Sequence, residues 1–364
     1  MKNTKFAAVL GVAALALSAC GGGDEGETTD GAGESKAPAA EQIDYRACLV
    51  SDAGGWDDKS FNQSAKEGLD RAVQELGVQH NEAESKDSAD YGDNVMAMAA
   101  SDCDLTIGVG FLLAEGITAG ANENPDTNFA LIDSTFADPK GNERALVFNT
   151  QEAAYLAGYA AAAMSQTGTV ATFGGLQIPA VTLFMDGFAD GVDKFNEDNG
   201  KDVKLLGWNK KAKNGQFTGN FEDQAKGTQV AQQLIQQGAD VIMPVAGPVG
   251  LGAAAAAKAD GNTLIVGVDS DWVQSAPEYK DIVLTSVTKG IANAVFDTIK
   301  VAAEGNWTAE NYVGTLENGG VDIAPFYDFE SQLPEGLVED LEQIKQDIID
   351  GKIVVQSESA FEVN

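Results

Sequence analysis

Short apolar runs alternate with amphipathic helical stretches along most of this chain, and the alternation happens twice. In the first round "YRACLVS", "DLTIGVG", "NFALIDS" and "RALVFN" read as strands. Helical patterns such as "FNQSAKEGLDRAVQELG", closed by Gly77, and "YGDNVMAMAAS" separate them. An Ala-rich helix from Gln151 to Ser165 leads into the second round, with strands "TVATFGG", "DVKLLGW", "DVIMPVA" and "TLIVGVD". Strand "IVLTSVT" and helix "GIANAVFDTIKVAAEG" come late and read as a return crossing. Repeated strand–helix units call for parallel sheets with right-handed crossovers. Two rounds predict two α/β lobes with a cleft between them, which also suits about 320 folded residues, more than one core usually holds. Ligands of open parallel sheets gather beyond the carboxyl ends of the strands. The residues that end strands are therefore the ones to read.

After the first strand comes "SDAGGWDDKSFNQSAKEGL". Gly54 and Gly55 allow a sharp turn, and either Ser60 or Asp58 can cap the helix that starts near Phe61. Phe61, between Ser60 and Asn62, is badly placed for a core and well placed to offer a flat face to a planar ring. The plainer alternative is a capped helix with an exposed loop. In the second round "NGQFTGNFEDQAKG" also enters a helix, with Phe221 in the same kind of position. Phe61 and Phe221 facing across a cleft make a sandwich for a heteroaromatic ring, although either Phe217 or Phe221 can instead cover the local core.

Three aspartates sit where strands end: Asp58 in the first loop, Asp133 after "FALI" and Asp269 after "LIVGV". Such carboxylates accept hydrogen bonds from hydroxyl pairs, as in sugar recognition. A single loop aspartate more often bonds its own backbone; recurrence at three strand ends favours a shared site. Lys289, ending "LTSVTK", supplies one cation. "VAGPVGLGAAAAA" has the spacing G-x-x-G-x-G, neither a dinucleotide fingerprint nor a phosphate loop. Gly247 is read as allowing a ligand close to the backbone.

The N-terminus carries Lys2 and Lys5, an apolar stretch from Phe6 to Ala19, and then Cys20. This is the pattern of an export signal, 1–19, and is too short for a membrane-spanning helix of ~20 apolar residues. Leu17-Ser18-Ala19-Cys20 resembles a bacterial lipobox, which implies acylation of Cys20 and tethering to the membrane outside the cytoplasm. Residues 20–42 are rich in Gly, Glu, Thr and Ala, the composition of a flexible stalk. The lobes are expected at 43–149 plus about 286–310, and at 150–285 plus about 311–364.

A formal charge of −33, from 23 basic against 56 acidic residues, argues against a nucleic-acid partner. One histidine, His80, removes Ser-His-Asp triads and most zinc sites from consideration; no metal or cofactor is expected. With Cys20 acylated, Cys48 and Cys103 form the remaining pair. Export permits a disulfide between them, and both sit near the starts of strands expected to be neighbours.

"DDKSFNQSAKEGL", "VGFLL", "FALIDS", "GNFEDQAKG", "GADVIMPVAGPVGLG", "VGVDSD" and "LTSVTKG" resemble, in order, successive blocks of the basic membrane protein family. That family comprises bacterial lipoproteins serving as purine-nucleoside receptors of ABC importers. The resemblance implies a type I periplasmic binding protein, two α/β lobes joined by three crossing segments, binding adenosine, guanosine or inosine and passing it to a permease as a monomer. It implies base stacking between Phe61 and Phe221 and a place for Phe111 in the site. Asn62 and Asp133 would read the base edge, with Asp58 and Ser60 shaping their loop. Gly247, Lys289 and Asp269, with Asp271 as second choice, would hold the ribose. The alternatives are a receptor for a sugar or autoinducer-like ligand and, in a different class, an exported calcium-dependent nucleoside hydrolase. Trp56 and Trp272 are expected beside the cleft loops.

Overall fold

The computed structural model describes residues 40–362. The export signal, the lipobox at Cys20 and nearly all of the stalk lie outside the described residues. The first round of strands becomes β1 (Arg46–Ser51), β2 (Gln79–Glu84), β3 (Leu105–Val109), β4 (Asn128–Ile132) and β5 (Glu143–Phe148). They lie in the order β5-β4-β3-β1-β2, all parallel. The second round gives β6 (Thr169–Gly174) and β7 (Lys204–Leu206), then a small antiparallel hairpin of β8 (Trp208–Asn209) and β9 (Asn214–Gly215). It continues with β10 (Val241–Val245), β11 (Leu264–Asp269) and β12 (Val283–Lys289), arranged β12-β11-β10-β6-β7. The two lobes repeat one winding. A sixth strand closes each sheet: β13 (Tyr312–Gly314) runs parallel to β5, and β14 (Val321–Ile323) antiparallel to β12.

Among the described residues ten helices accompany the sheets: α1 (Phe61–Leu76), α2 (Asp90–Ala99), α3 (Ala114–Glu123), α4 (Thr150–Met164) and α5 (Pro179–Asn199) come first. They are followed by α6 (Gln224–Gln236), α7 (Val249–Asp260), α8 (Trp272–Ser275), α9 (Ile291–Ala303) and α10 (Leu337–Ile349). Successive strand side chains point to opposite faces, and the core divides accordingly. Leu49 joins the cluster that holds Ala65 and Leu69 of α1 and Val295 of α9, whereas its neighbour Val50 joins Val95 of α2 and Ile117 of α3. Both faces of the central strands are covered, so β1, β3, β4, β6, β10 and β11 read as apolar runs, whereas the edge strand β2 alternates partly buried with exposed residues.

The crossings between lobes fall slightly apart from their expected places. The first is at Asn149, as β5 gives way to α4, which packs on α5, α10 and β12. The second follows Lys289, near the expected position of about 286, because β12 pairs with β11 in the second sheet before α9 returns to pack on α1. The third follows Gly314 rather than 310, because β13 pairs with β5. Cys48 and Cys103 are joined by a disulfide with a Cα–Cα distance of 6.0 Å, tying β1 to the approach of β3.

Candidate functional site

A cavity opens between the lobes at the carboxyl ends of both sheets. The first lobe contributes Asp52, Ala53, Asp58, Phe61 and Asn62 after β1, Gly110 and Phe111 after β3, and Asp133 after β4. The second contributes Ile178, Val181 and Phe184 from the start of α5, Phe221, the turn from Val245 to Pro248, Asp269 and Lys289. Strand ends thus supply Asp133, Asp269 and Lys289, while the aromatic rings come from the starts of α1 and α5 (Phe61, Phe184) and from the turns at Phe111 and Phe221.

Lys289 is the electrostatic centre. Its Nζ lies 2.5 Å from Asp133 Oδ2 and 3.1 Å from Asp269 Oδ1, and all three side chains are almost wholly buried. Burial alone would discharge the ammonium, but the two carboxylates outweigh it and hold the Lys289 pKa above its ordinary value. The Nζ also stands 4.6 Å from the centre of the Phe61 ring and 5.5 Å from that of Phe184, within cation–π range. Because Asp133 and Phe61 belong to one lobe and Lys289 and Asp269 to the other, this cluster joins the lobes. Asp133 and Asp269 end matching strands and share a left-handed backbone, φ 61° and 68°. Such geometry is costly for a residue with a side chain and clusters at functional sites.

Asp58, not Ser60, caps α1. Its carboxylate accepts from the backbone N–H of Ser60, Asn62 and Gln63 at 2.8–3.0 Å. Its pKa is raised because burial outweighs those bonds. Ser60 is buried off the cavity wall, and its Oγ meets the Val268 carbonyl at 3.0 Å and Asp269 Oδ2 at 3.1 Å, a second tie across the cleft. Asn62 Nδ2 donates to the Ala53 carbonyl and to Asp58, which fixes the amide orientation. Its buried Oδ1 has no partner among the described residues.

The two phenylalanines left open by the sequence part company. Phe217 packs edge-on against Trp208, with ring centres 5.9 Å apart, and covers the local core. Phe221 lines the cavity, although it stands three residues before α6, whose N-cap is Asp223, rather than at the helix start. Its ring lies against Gly175, where a Cβ would come within 2.3 Å of ring carbon. Gly247 adopts φ 51°, and a Cβ there would meet nothing closer than 3.9 Å, so the turn leaves its backbone open toward the cavity.

Asp271 turns away, capping α8 through the Val273 N–H and accepting from the Tyr327 hydroxyl. Trp272 is fully buried one layer behind Asp269, its Nε1 donating to the Val268 carbonyl at 3.0 Å, and neither it nor Trp56 lines the cavity. His80 sits exposed on β2. Of the wall residues that the sequence reading did not name, Asp52 and Phe184 bear most on the chemistry. Asp52 directly follows β1, and burial pushes its carboxyl well above the usual range, with Asp58 and Asp133 adding to the shift and Asn62 opposing it. The signal was its strand-end position. Phe184 lies inside an apolar stretch of α5 and carried no signal distinguishing it from core.

Two wound sheets, a cleft at their carboxyl ends and three crossings define a two-lobed solute-binding protein. Residues 47–359 match the family model described as ABC transporter substrate-binding protein PnrA-like, and the chain belongs to that family. It is 32% identical over 335 residues to the ABC transporter nucleoside-binding protein BmpA of Lactococcus lactis, covering 87% of this chain and 90% of that protein. It is also 32% identical over 253 residues to basic membrane protein A of Borreliella burgdorferi, covering 69% and 70% of the two chains. Among solved structures, an ABC transporter solute-binding protein from Aeropyrum pernix superposes with a TM-score of 0.74 at 29% identity, covering 85% of this chain and 92% of that one. The family model and the Lactococcus and Aeropyrum proteins are described as substrate-, nucleoside- or solute-binding proteins. No helix among the described residues is long and apolar enough to cross a membrane.

Proposed function

We propose that this chain is the lipid-tethered receptor of an ABC importer, closing on a purine nucleoside and passing it to the permease. The observation that carries the reading is the composition of the cleft wall. Phe61 from one lobe and Phe221 from the other border the same cavity as the Asp133–Lys289–Asp269 cluster. A flat base suits the rings, and ribose hydroxyls suit the charged cluster. The unpartnered Asn62 Oδ1 asks for a donor on the ligand edge, since a buried acceptor left alone costs about 1–3 kcal/mol. The name of the Lactococcus relative points the same way.

The magnitudes suffice. Each stacked ring adds about 0.5–1.5 kcal/mol beyond area burial, and each charge-assisted hydrogen bond about 1.5–3 kcal/mol. After association costs, about −8 kcal/mol, a micromolar dissociation constant, is within reach. Isothermal titration with inosine, adenosine, guanosine and free ribose tests the reading. At least one nucleoside should bind at micromolar affinity or better, with ribose roughly a hundredfold weaker, about 2.7 kcal/mol. Phe221→Ala should weaken the nucleoside at least tenfold. Ribose binding as tightly as any nucleoside would move the assignment to a sugar receptor, and an unchanged nucleoside affinity in the variant would count against stacking on Phe221.

A further inference from the structure

The chain's last described residues lie against both lobes, although all three covalent crossings precede them. Val355 is buried in the larger hydrophobic cluster. Ser357 Oγ donates to Asp186 Oδ2 of α5 at 2.6 Å, and Ser359 Oγ meets Thr182 Oγ1 of the same helix at 2.7 Å. Lys210 donates to the Gln356 carbonyl, and Lys213 pairs with Glu358. Two residues beyond Ser359, Phe361 packs against the other lobe. The cluster it joins holds Val50, Ile117, Leu131 and Phe136, with no member from the second lobe. Asp186 is buried, its other side-chain partner among the described residues is the Trp208 indole at 2.8 Å, and it does not line the ligand cavity. Its place in the molecule is as the anchor of this strap.

We propose that residues 355–361 form a non-covalent clasp that favours the closed arrangement of the lobes, with Asp186 and Thr182 as its fixed end and Phe361 as its releasable end. Opening the cleft moves the first lobe away from α5, so Phe361 must leave its apolar seat while the serine contacts stay. A contact present in only one state shifts the population toward that state. Apparent affinity scales with the closed fraction, so the clasp tunes ligand retention without touching the ligand. The inference rests on the two-lobed receptor reading but not on which ligand is bound.

Phe361→Ser and a chain ending at Ala360 remove the releasable end and leave the lobe cores intact; Phe361→Leu keeps an apolar group. Small-angle scattering of the ligand-free protein should give a larger radius of gyration for the first two than for the parent, with Phe361→Leu close to the parent. With inosine as probe, stopped-flow dissociation should quicken about 3–10-fold in the first two and less than twofold in Phe361→Leu. Unchanged scattering and dissociation in both disabling variants would overturn the clasp. If inosine fails to bind even the parent, the nucleoside reading falls while scattering still decides the clasp.

Discussion

Asp52 shows how one side chain connects burial, charge and stability. Its carboxyl sits in the cavity wall beside Asp58 and Asp133, with pKa raised chiefly by burial. An unfolded aspartate titrates near 3.9. Between that value and the higher folded one, the native state binds more protons than the unfolded, so stability rises as pH falls through this window. Above it the buried charge is a standing cost. Asp52→Asn is neutral at every pH and should therefore melt higher than the parent at pH 7, with the gap narrowing toward pH 4. Asp58 and Asp133, also raised chiefly by burial, are present in both proteins; losing the Asp52 charge relieves their repulsion with it, which widens the gap at pH 7 in the same direction. Thermal melts at the two pH values check this. An equal gap at both would mean that Asp52 is not perturbed. Lys289 moves in the opposite sense: its raised pKa contributes stability that is intact below its unfolded value, about 10.4, and is lost only as pH climbs through the folded one.

Elements explain what could be read in advance and what could not. Strand termini were legible because apolar runs stop where the chain meets solvent, so Asp133, Asp269 and Lys289 announced themselves by position. Which of two neighbours does the work was not legible, because that depends on tertiary packing. Sequence alone allows either Asp58 or Ser60 to cap α1, and the choice falls to Asp58 because Ser60 reaches across to Asp269. The sequence favours Phe221 for the cavity but leaves either phenylalanine able to cover the core, and the β8–β9 hairpin, which sets Trp208 against Phe217, is the tertiary contact that separates them. Phe184 was hidden because the first turns of α5 face core and cavity with the same apolar alphabet. The disulfide belongs to this scale too. It joins β1 to the amino-terminal approach of β3, while the ligand residues lie at the carboxyl ends. Replacing Cys48 and Cys103 together by alanine should lower unfolding stability by about 2–4 kcal/mol. Inosine affinity should stay within about twofold, or 0.4 kcal/mol. Denaturant titration paired with calorimetry separates the two, and a large affinity loss would mean that the bond reaches the cleft.

At the scale of the whole molecule, two sources of negative charge act on an incoming ligand, and they can be told apart. The chain carries −33 overall, a field that salt screens beyond about 8 Å at physiological ionic strength. The cleft carries its own imbalance, with Asp52, Asp58, Asp133 and Asp269 around a single ammonium, that of Lys289. Buried groups are screened far less than surface ones. A nucleoside is neutral and indifferent to both fields, whereas a nucleoside monophosphate is repelled by both. AMP should therefore bind at least a hundredfold more weakly than adenosine, about 2.7 kcal/mol. If the cleft carboxylates are responsible, most of that discrimination survives in 1 M sodium chloride, where the Debye length is about 3 Å. If the outer surface is responsible, AMP recovers as salt is added. Competition titrations at low and high salt decide between them, and AMP matching adenosine in both would remove the cleft carboxylates from any role in choosing the ligand.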